Sequence, residues 1–88
     1  MSISVKPAKA TEVWFDNDNL WVLLADGRQL SVPLSYFPRL LNATDSQRSN
    51  YVISGGGIGL HWEDIDEDIA VEGLLLGIGD VTQTRNFA

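Results

Sequence analysis

Residues 11–32 read T-E-V-W-F-D-N-D-N-L-W-V-L-L-A-D-G-R-Q-L-S-V, and this stretch decides the fold. Three short runs rich in β-branched, aromatic and aliphatic residues, 11–16, 20–25 and 28–32, are separated by turns that contain Asn, Asp and Gly. Runs of this length and composition are typical of β-strands. Asn, Asp and Gly accept the backbone angles that tight turns need. The stretch therefore predicts a three-stranded antiparallel meander.

The turn between the second and third strands sets the predicted register. Asp26-Gly27 signals a two-residue hairpin loop, because Gly accepts positive φ. This loop sets Leu23 opposite Leu30 and Trp21 opposite Val32, and a symmetric loop at residues 16–19 sets Trp14 opposite Trp21. The resulting core face carries Trp14, Trp21, Leu23, Leu30 and Val32. The opposite face carries Val13, Phe15, Leu20, Val22 and Leu24, with Gln29 and Ser31. The first face is the expected core because the apolar side of the third strand lies on it. The second face then needs another element to cover it, or it is a partner site.

The rest of the chain predicts short helices and a second hairpin. Residues 35–41 form a short helix with Pro38 in its first turn, where a missing N–H is tolerated. Thr44 is expected to cap one helical turn. Two further strands, 51–54 and 58–62, flank a turn of three glycines.

A C-terminal helix is predicted over 69–76. The chain is thus expected to be an α+β domain: a three-stranded antiparallel meander, a short helix, a second β-hairpin and a short C-terminal helix. We expect a single domain over 1–88, since this length supports one core. A less ordered lead-in, 1–10, and a tail, 78–88, are expected at its ends.

Composition excludes several classes of function. The 88 residues carry a net charge of −6 and no cysteine. Disulfide and thiolate chemistry are therefore excluded. Phosphate backbones repel such a chain, so we expect no direct nucleic-acid binding by the monomer. No run approaches the ~20 apolar residues of a membrane span, and residues 1–10 lack the apolar core of a signal peptide. We expect no membrane association and a cytoplasmic location.

The acidic block, residues 63–68 (E-D-I-D-E-D), follows His61 and Trp62. Oxygen-rich clusters suit hard cations, and His61 and Glu63 share a face if they lie on a strand. However, the spacing matches no calcium loop. We therefore expect structural or solvated carboxylates, with no metal site and no cofactor. A metal protein or enzyme centred on His61 remains an alternative.

No catalytic set is visible in the sequence. There is no G-x-S-x-G motif, and a Ser/His/Asp triad has only His61 available to it. Residues 55–59 (G-G-G-I-G) lack the Lys-Ser/Thr of a phosphate loop. We therefore expect that the protein is not an enzyme.

We expect some residues in and near the acidic block to bind a partner and others to stabilise the fold. The candidate partner-binding residues are Trp62, Glu63, Asp64 and Glu67, because acids attract a basic partner and Trp is enriched at binding hot spots. For Trp62, packing in the core is the favoured alternative. The candidate structural residues are Trp14, Trp21, Asp66 and Asp68. Asp68 is expected to cap the C-terminal helix, and Asp66 to bond the preceding turn.

Five blocks of the sequence come in a recognisable order. They are Asp26-Gly27-Arg28, residues 36–41 (Y-F-P-R-L-L), Ala43-Thr44, residues 57–62 (G-I-G-L-H-W) and residues 65–75 (I-D-E-D-I-A-V-E-G-L-L). Over residues 11–77 they resemble a family of short bacterial proteins, domain of unknown function 2442. The family usually has Pro where this chain has Glu63, and Ser where it has Ala70.

The resemblance implies an α+β fold and a role beside a small companion protein in a toxin–antitoxin-like pair. Some relatives carry an added helix-turn-helix domain. This sequence has none, so we expect no DNA-binding role of that origin. Three functions are thus considered: an acidic protein-binding module with a small, basic protein partner; a structural homo-oligomer; and a metal protein or enzyme at His61.

Overall fold

The computed structural model describes residues 8–77. Two three-stranded antiparallel sheets contain their strands in chain order. The first sheet consists of β1 (Ala10–Phe15), β2 (Asn19–Leu24) and β3 (Gln29–Pro33), and the second of β4 (Tyr51–Ser54), β5 (Gly59–Trp62) and β6 (Glu67–Ala70). The helices are α1 (Pro38–Leu41), α2 (Asp45–Ser49) and α3 (Val71–Leu75), with short 3-10 turns at Leu34–Tyr36 and Gly55–Gly57. The predicted α+β class is confirmed, and the second hairpin gains a third strand.

The register of β2 against β3 differs from the prediction by one residue. Val22 lies opposite Leu30. The Leu24 N–H donates to the Arg28 carbonyl at 2.8 Å, so three residues form the loop between them. Gly27 adopts a φ of +94° in this loop. Asp-Gly did not distinguish two loop lengths, because both the two-residue and the three-residue loop use a glycine with positive φ.

This shift exchanges the faces of the predicted first sheet, because side chains alternate along a strand. The buried residues of the first sheet are Ala10, Val13, Leu20, Val22, Leu24 and Val32. Trp14 lies opposite Trp21 as predicted, and the two rings stack with centroids 6.0 Å apart. Both rings are only partly buried. The prediction that Trp14, Trp21 and Leu23 lie on the core face is therefore wrong.

One core joins the two sheets, α1 and α3. Its buried members beyond the first sheet are Leu34, Phe37, Leu40, Leu60, Trp62, Ile69, Val71 and Leu74. Phe15 of the first sheet meets the Trp62 ring edge-on, with centroids 6.3 Å apart. Because burial of apolar surface is the main favourable term in folding, these contacts hold the two sheets together.

The helices before β4 follow the local signals of the sequence. Pro38 occupies the first turn of α1. Thr44 caps α2 through a capping box: its side chain accepts a hydrogen bond from the Gln47 N–H at 3.1 Å, and the Gln47 side chain accepts one from the Thr44 N–H at 2.9 Å. Both predictions are confirmed, because each depends only on residues a few positions apart.

The predicted C-terminal helix begins too early. Ile69 and Ala70 belong to β6, which alternates buried and exposed residues, and α3 begins at Val71. The Val71 N–H donates to the Ile58 carbonyl at 3.0 Å, which gives an acceptor to one of the helix N–H groups that lack an internal partner. Asp68 lies in β6 and no side chain caps α3. The predicted cap at Asp68 is therefore wrong.

Most of the predicted lead-in and the whole predicted tail, 78–88, lie outside the described residues. The end of the lead-in is part of the fold. The Ala8 N–H donates to the Glu72 carboxylate at 3.1 Å, and Ala10 is the first residue of β1.

Candidate binding site

Trp62 belongs to the core. Its exposed fraction is 0%, and its indole N–H donates to the Arg48 carbonyl at 3.0 Å. Phe15 and Tyr51 both lie against its ring. With no exposed surface, Trp62 cannot contact a partner of the folded protein. The structure therefore confirms core packing, the favoured alternative for this residue.

Glu67 is also buried, with an exposed fraction of 4%. Its carboxylate Oε1 lies 3.9 Å from Nη1 of Arg39, and the same nitrogen donates to the Asp66 carbonyl at 2.9 Å. Asp66 adopts a φ of +54° in the turn between β5 and β6. The structure thus places Glu67 inside the fold and Asp68 on its surface. The prediction that Glu67 is available to a partner is therefore wrong, because its side chain is buried.

The His61 ring contacts two of the exposed acidic side chains. His61 is on β5, with Val52 of β4 and Asp68 of β6 as its cross-strand neighbours. Its Nδ1 is 2.6 Å from Oδ1 of Asp68, and its Nε2 is 2.8 Å from Oε1 of Glu63. The predicted shared face of His61 and Glu63 is confirmed. The contact with Asp68 depends on β6, which the sequence analysis missed.

The two carboxylates favour the protonated ring of His61. A neutral imidazole has one N–H and donates one hydrogen bond, whereas imidazolium donates two. The hydrogen bond with Glu63, followed by the one with Asp68, raises the pKa of His61 above its ordinary value of 6.5, and burial opposes this. The ring therefore holds its proton more firmly than a histidine in an unfolded chain.

Two exposed carboxylates contact this ring, and a third, that of Asp64, follows Glu63 in the loop after β5. We call Glu63, Asp64 and Asp68 the acidic surface. The Glu63 and Asp68 side chains are 83% and 77% exposed. Asp64 is exposed and accepts a hydrogen bond from the Asn50 side chain at 3.1 Å. The predicted partner-binding residues thus divide into two buried ones and two, Glu63 and Asp64, that a partner can reach.

Among the described residues, 8–77, no group of three or more His, Cys, Asp or Glu side chains could hold a metal ion. Both ring nitrogens of His61 already contact carboxylates. Within the same part of the chain, no helix is long and apolar enough to cross a membrane.

The Asp16 carboxylate, whose hydrogen bonds the sequence analysis missed, lies in the turn between β1 and β2. Oδ1 of Asp16 accepts hydrogen bonds from the N–H groups of Asp18 at 2.9 Å and Asn19 at 2.7 Å, and Oδ2 accepts one from the Trp21 indole at 2.8 Å. These bonds, that from Trp21 first, lower the pKa of Asp16 below its ordinary value of 3.8. An Asp that begins an Asp/Asn turn was the available signal, because such side chains bond the backbone two residues on.

A groove of about 470 Å³ runs along β1, between Trp14 and Phe15 on one side and α2 and Tyr51 on the other. Arg48 is held in its wall. The guanidinium donates to the carbonyls of Leu40 and Leu41 at 2.8 and 2.9 Å, and it lies 5.8 Å from the centre of the Phe15 ring. Since these bonds occupy much of the guanidinium, Arg48 serves mainly to join α1, α2 and β1.

The chain belongs to a family of proteins of unknown function, DUF2442, whose model matches residues 10–80. It is similar to a protein of unknown function from Rhodospirillum rubrum, with 31% identity and a TM-score of 0.75 over 85% of this chain and 93% of that one. It is also similar to an uncharacterised protein from Chromobacterium violaceum, with 26% identity and a TM-score of 0.70 over 82% of this chain and 68% of that one. No curated protein sequence matches the chain.

Proposed function

We propose that this protein is a binding module that recognises a basic protein partner through the acidic surface. The observation that supports the proposal is the exposure of Glu63 and Asp68, 83% and 77%, on two sides of one imidazole ring. The two carboxylates are positioned before a partner arrives, so less side-chain freedom is lost on binding. Exposed, prearranged acids suit the ammonium and guanidinium groups of a basic surface.

The charge of the whole chain supports the same proposal. A net charge of −6 attracts a basic partner over a distance. Charges at the edge of an interface act mainly on the rate of association. The proposed activity is binding without catalysis, and the occupied ring nitrogens of the chain's single histidine support that choice.

The narrower form of the proposal is an antitoxin-like role, in which the partner is a small companion protein encoded beside this one. Its support is the resemblance of residues 11–77 to a family in which such pairs are expected. A cytoplasmic location accords with it, because a chain without cysteine needs no oxidising compartment.

Association rates with the product of a neighbouring gene test the proposal. The variant Glu63→Gln with Asp64→Asn removes two charges from the acidic surface. The matched control, Glu12→Gln with Asp18→Asn, removes two exposed charges from β1 and the turn between β1 and β2. We expect the first variant to associate roughly threefold to tenfold more slowly at low salt, and the control to change little. The difference shrinks at high salt, because salt screens exposed charges.

Two results would count against the proposal. One is a protein that remains a monomer without a partner when it is co-expressed with each neighbouring gene product. The other is an association rate that falls equally in the variant and its control, which would mean that only total charge matters. Both variants are melted first, so that a loss of binding is not a loss of fold.

Self-association is a second candidate, and the outer face of the first sheet favours it. Trp14, Trp21 and Leu23 are only partly buried there, and partly exposed aromatic residues are enriched at interfaces. The face first considered for this role, with Val13, Leu20 and Val22, is the core. Light scattering distinguishes the candidates, because a homo-oligomer has a multiple of the 9.7 kDa mass without any partner.

A further inference from the structure

One of the two carboxylates that contact His61 lies in the β5–β6 loop, and the other lies in β6. Trp62 pairs with Glu67 at the ends of β5 and β6, so Glu63 is the first residue of the loop, whereas Asp68 is the second residue of β6 and the cross-strand partner of His61. The ring of His61 contacts both residues, at 2.8 and 2.6 Å. We propose that His61, Glu63 and Asp68 form a proton-dependent clamp, the His61 clamp, which closes the β5–β6 loop and sets the charge of the acidic surface.

The closed clamp requires a protonated ring, because only imidazolium has an N–H group on each of its two nitrogens. With both nitrogens protonated, each carboxylate receives one hydrogen bond, and the two share the single positive charge of the ring. Once the proton leaves, one nitrogen presents a lone pair to a carboxylate oxygen. That contact is then repulsive and opens, while the remaining N–H keeps one partner. The clamp therefore has a closed state with two contacts and an open state with one.

The surroundings of the ring contain no described cation that could replace the proton. From β6 the facing group is Asp68, and from the end of β5 it is Glu63. From β4 the cross-strand neighbour is Val52, which carries no charge. Asp64, the second acid of the loop, accepts a hydrogen bond from the neutral Asn50 side chain. Within residues 8–77, the two titratable groups that contact the ring are both acidic, and these acids oppose loss of the proton.

The direction of the pH dependence follows from the raised pKa of His61. A raised pKa means that the folded state binds the proton more tightly than the unfolded state. The clamp then stabilises the fold fully below 6.5, the unfolded value, and this stabilisation is lost as pH rises through the folded pKa. Over the same range His61 loses its positive charge, so that the net charge of the acidic surface together with this ring becomes one unit more negative.

Melting temperatures of the isolated protein test the clamp between about pH 6 and about pH 9, a range in which exposed carboxylates stay ionised. We expect wild type to melt a few degrees above His61→Gln near pH 6, and the difference to shrink as pH rises toward 9. Asp68→Asn, which keeps the histidine but removes one carboxylate, should weaken this pH dependence. A difference that is constant with pH, as simple packing of the ring would give, overturns the proposal.

Amide hydrogen exchange gives a second test in wild type alone, in case the variants fold poorly. After correction for the intrinsic exchange rate, residues 63–68 should open more often as pH rises, while β2 should not change. Equal behaviour of the two segments contradicts the clamp. Both tests use the protein without a partner, so their failure would leave the proposed function standing. Only one consequence of the clamp, namely that the change in charge alters partner binding, rests on the proposed function.

Discussion

The two sheets have the same strand order but place their tryptophans on opposite sides. In the first sheet, Trp21 is on the outer face, and its indole N–H donates to the Asp16 carboxylate at 2.8 Å. In the second, Trp62 is inside, and its indole donates to the Arg48 carbonyl at 3.0 Å. A buried tryptophan needs such a partner. The comparison shows that a tryptophan on a strand does not by itself identify the core face.

The outer faces of the two sheets also differ in their response to pH. On the first sheet, Asp16 accepts hydrogen bonds from groups that do not titrate near neutral pH. On the second, the bridging group between Glu63 and Asp68 is itself titratable. The hydrogen bonds of Asp16 therefore stay the same over the physiological pH range, whereas the contacts of His61 can change with a single proton.

Replacing the two tryptophans should give the largest difference between the sheets. We expect Trp62→Ala to lower the free energy of unfolding by about 3–5 kcal/mol, as large cavities do. Trp21→Ala should lower it by about 1–2 kcal/mol, since most single changes outside the core have modest effects. Urea unfolding measures both, with Trp62→Phe as a control for the indole bond. Equal losses at the two positions would contradict the assignment of faces.

Replacing one glycine in each of two turns should give a smaller difference in the free energy of unfolding. Gly57 has a φ of +114°, and a Cβ there would lie 2.8 Å from the Lys9 Cβ and 2.9 Å from the Ala10 carbonyl. Gly27 has a φ of +94° with nothing within 4 Å. Gly27→Ala should therefore lower the free energy of unfolding by about 1–3 kcal/mol, from backbone strain alone. Gly57→Ala should lower it further. Equal losses of unfolding free energy for the two variants in urea would mean that the Gly55–Gly57 turn packs less closely against Lys9 and Ala10 than the structure shows.

The smallest expected effect concerns Asp16, and it appears at acid pH. The lowered pKa of Asp16 means that its bonds stabilise the fold above 3.8, the unfolded value, and that this stabilisation is lost as pH falls through the folded pKa. Asp16→Asn should therefore melt below wild type at neutral pH and approach it in acid. Asp18→Asn, at the neighbouring exposed acid, is the control. A difference that persists unchanged in acid would mean that the carboxylate charge is irrelevant.

The features predicted correctly from sequence are the local ones. The pairing of Trp14 with Trp21, Pro38 in a first helical turn and the capping box at Thr44 each depend on residues close in the chain. The register of β3 was missed because Asp26-Gly27 fits two loops that differ by one residue. That one residue decided which face of the sheet is the core.

The candidate site was predictable only in part. The exposure of Glu63 and Asp64 and the shared face of His61 and Glu63 follow from an acidic loop after a strand. The partner of the other ring nitrogen, Asp68, could not be found without β6. Residues 67–70 were missed as a strand because E-D-I-A precedes a helical run, and a short segment of this kind fits either structure.

Titration of the His61 ring by NMR tests the central claim most directly, namely that two carboxylates hold a proton on the second sheet. The chain has one histidine, so its ring signals need no separation from others. We expect a midpoint above 6.5, the ordinary pKa, with both ring nitrogens protonated below it. In Glu63→Gln with Asp68→Asn, the midpoint should fall back toward the ordinary value. A wild-type midpoint at or below 6.5, unchanged in that variant, would contradict the account.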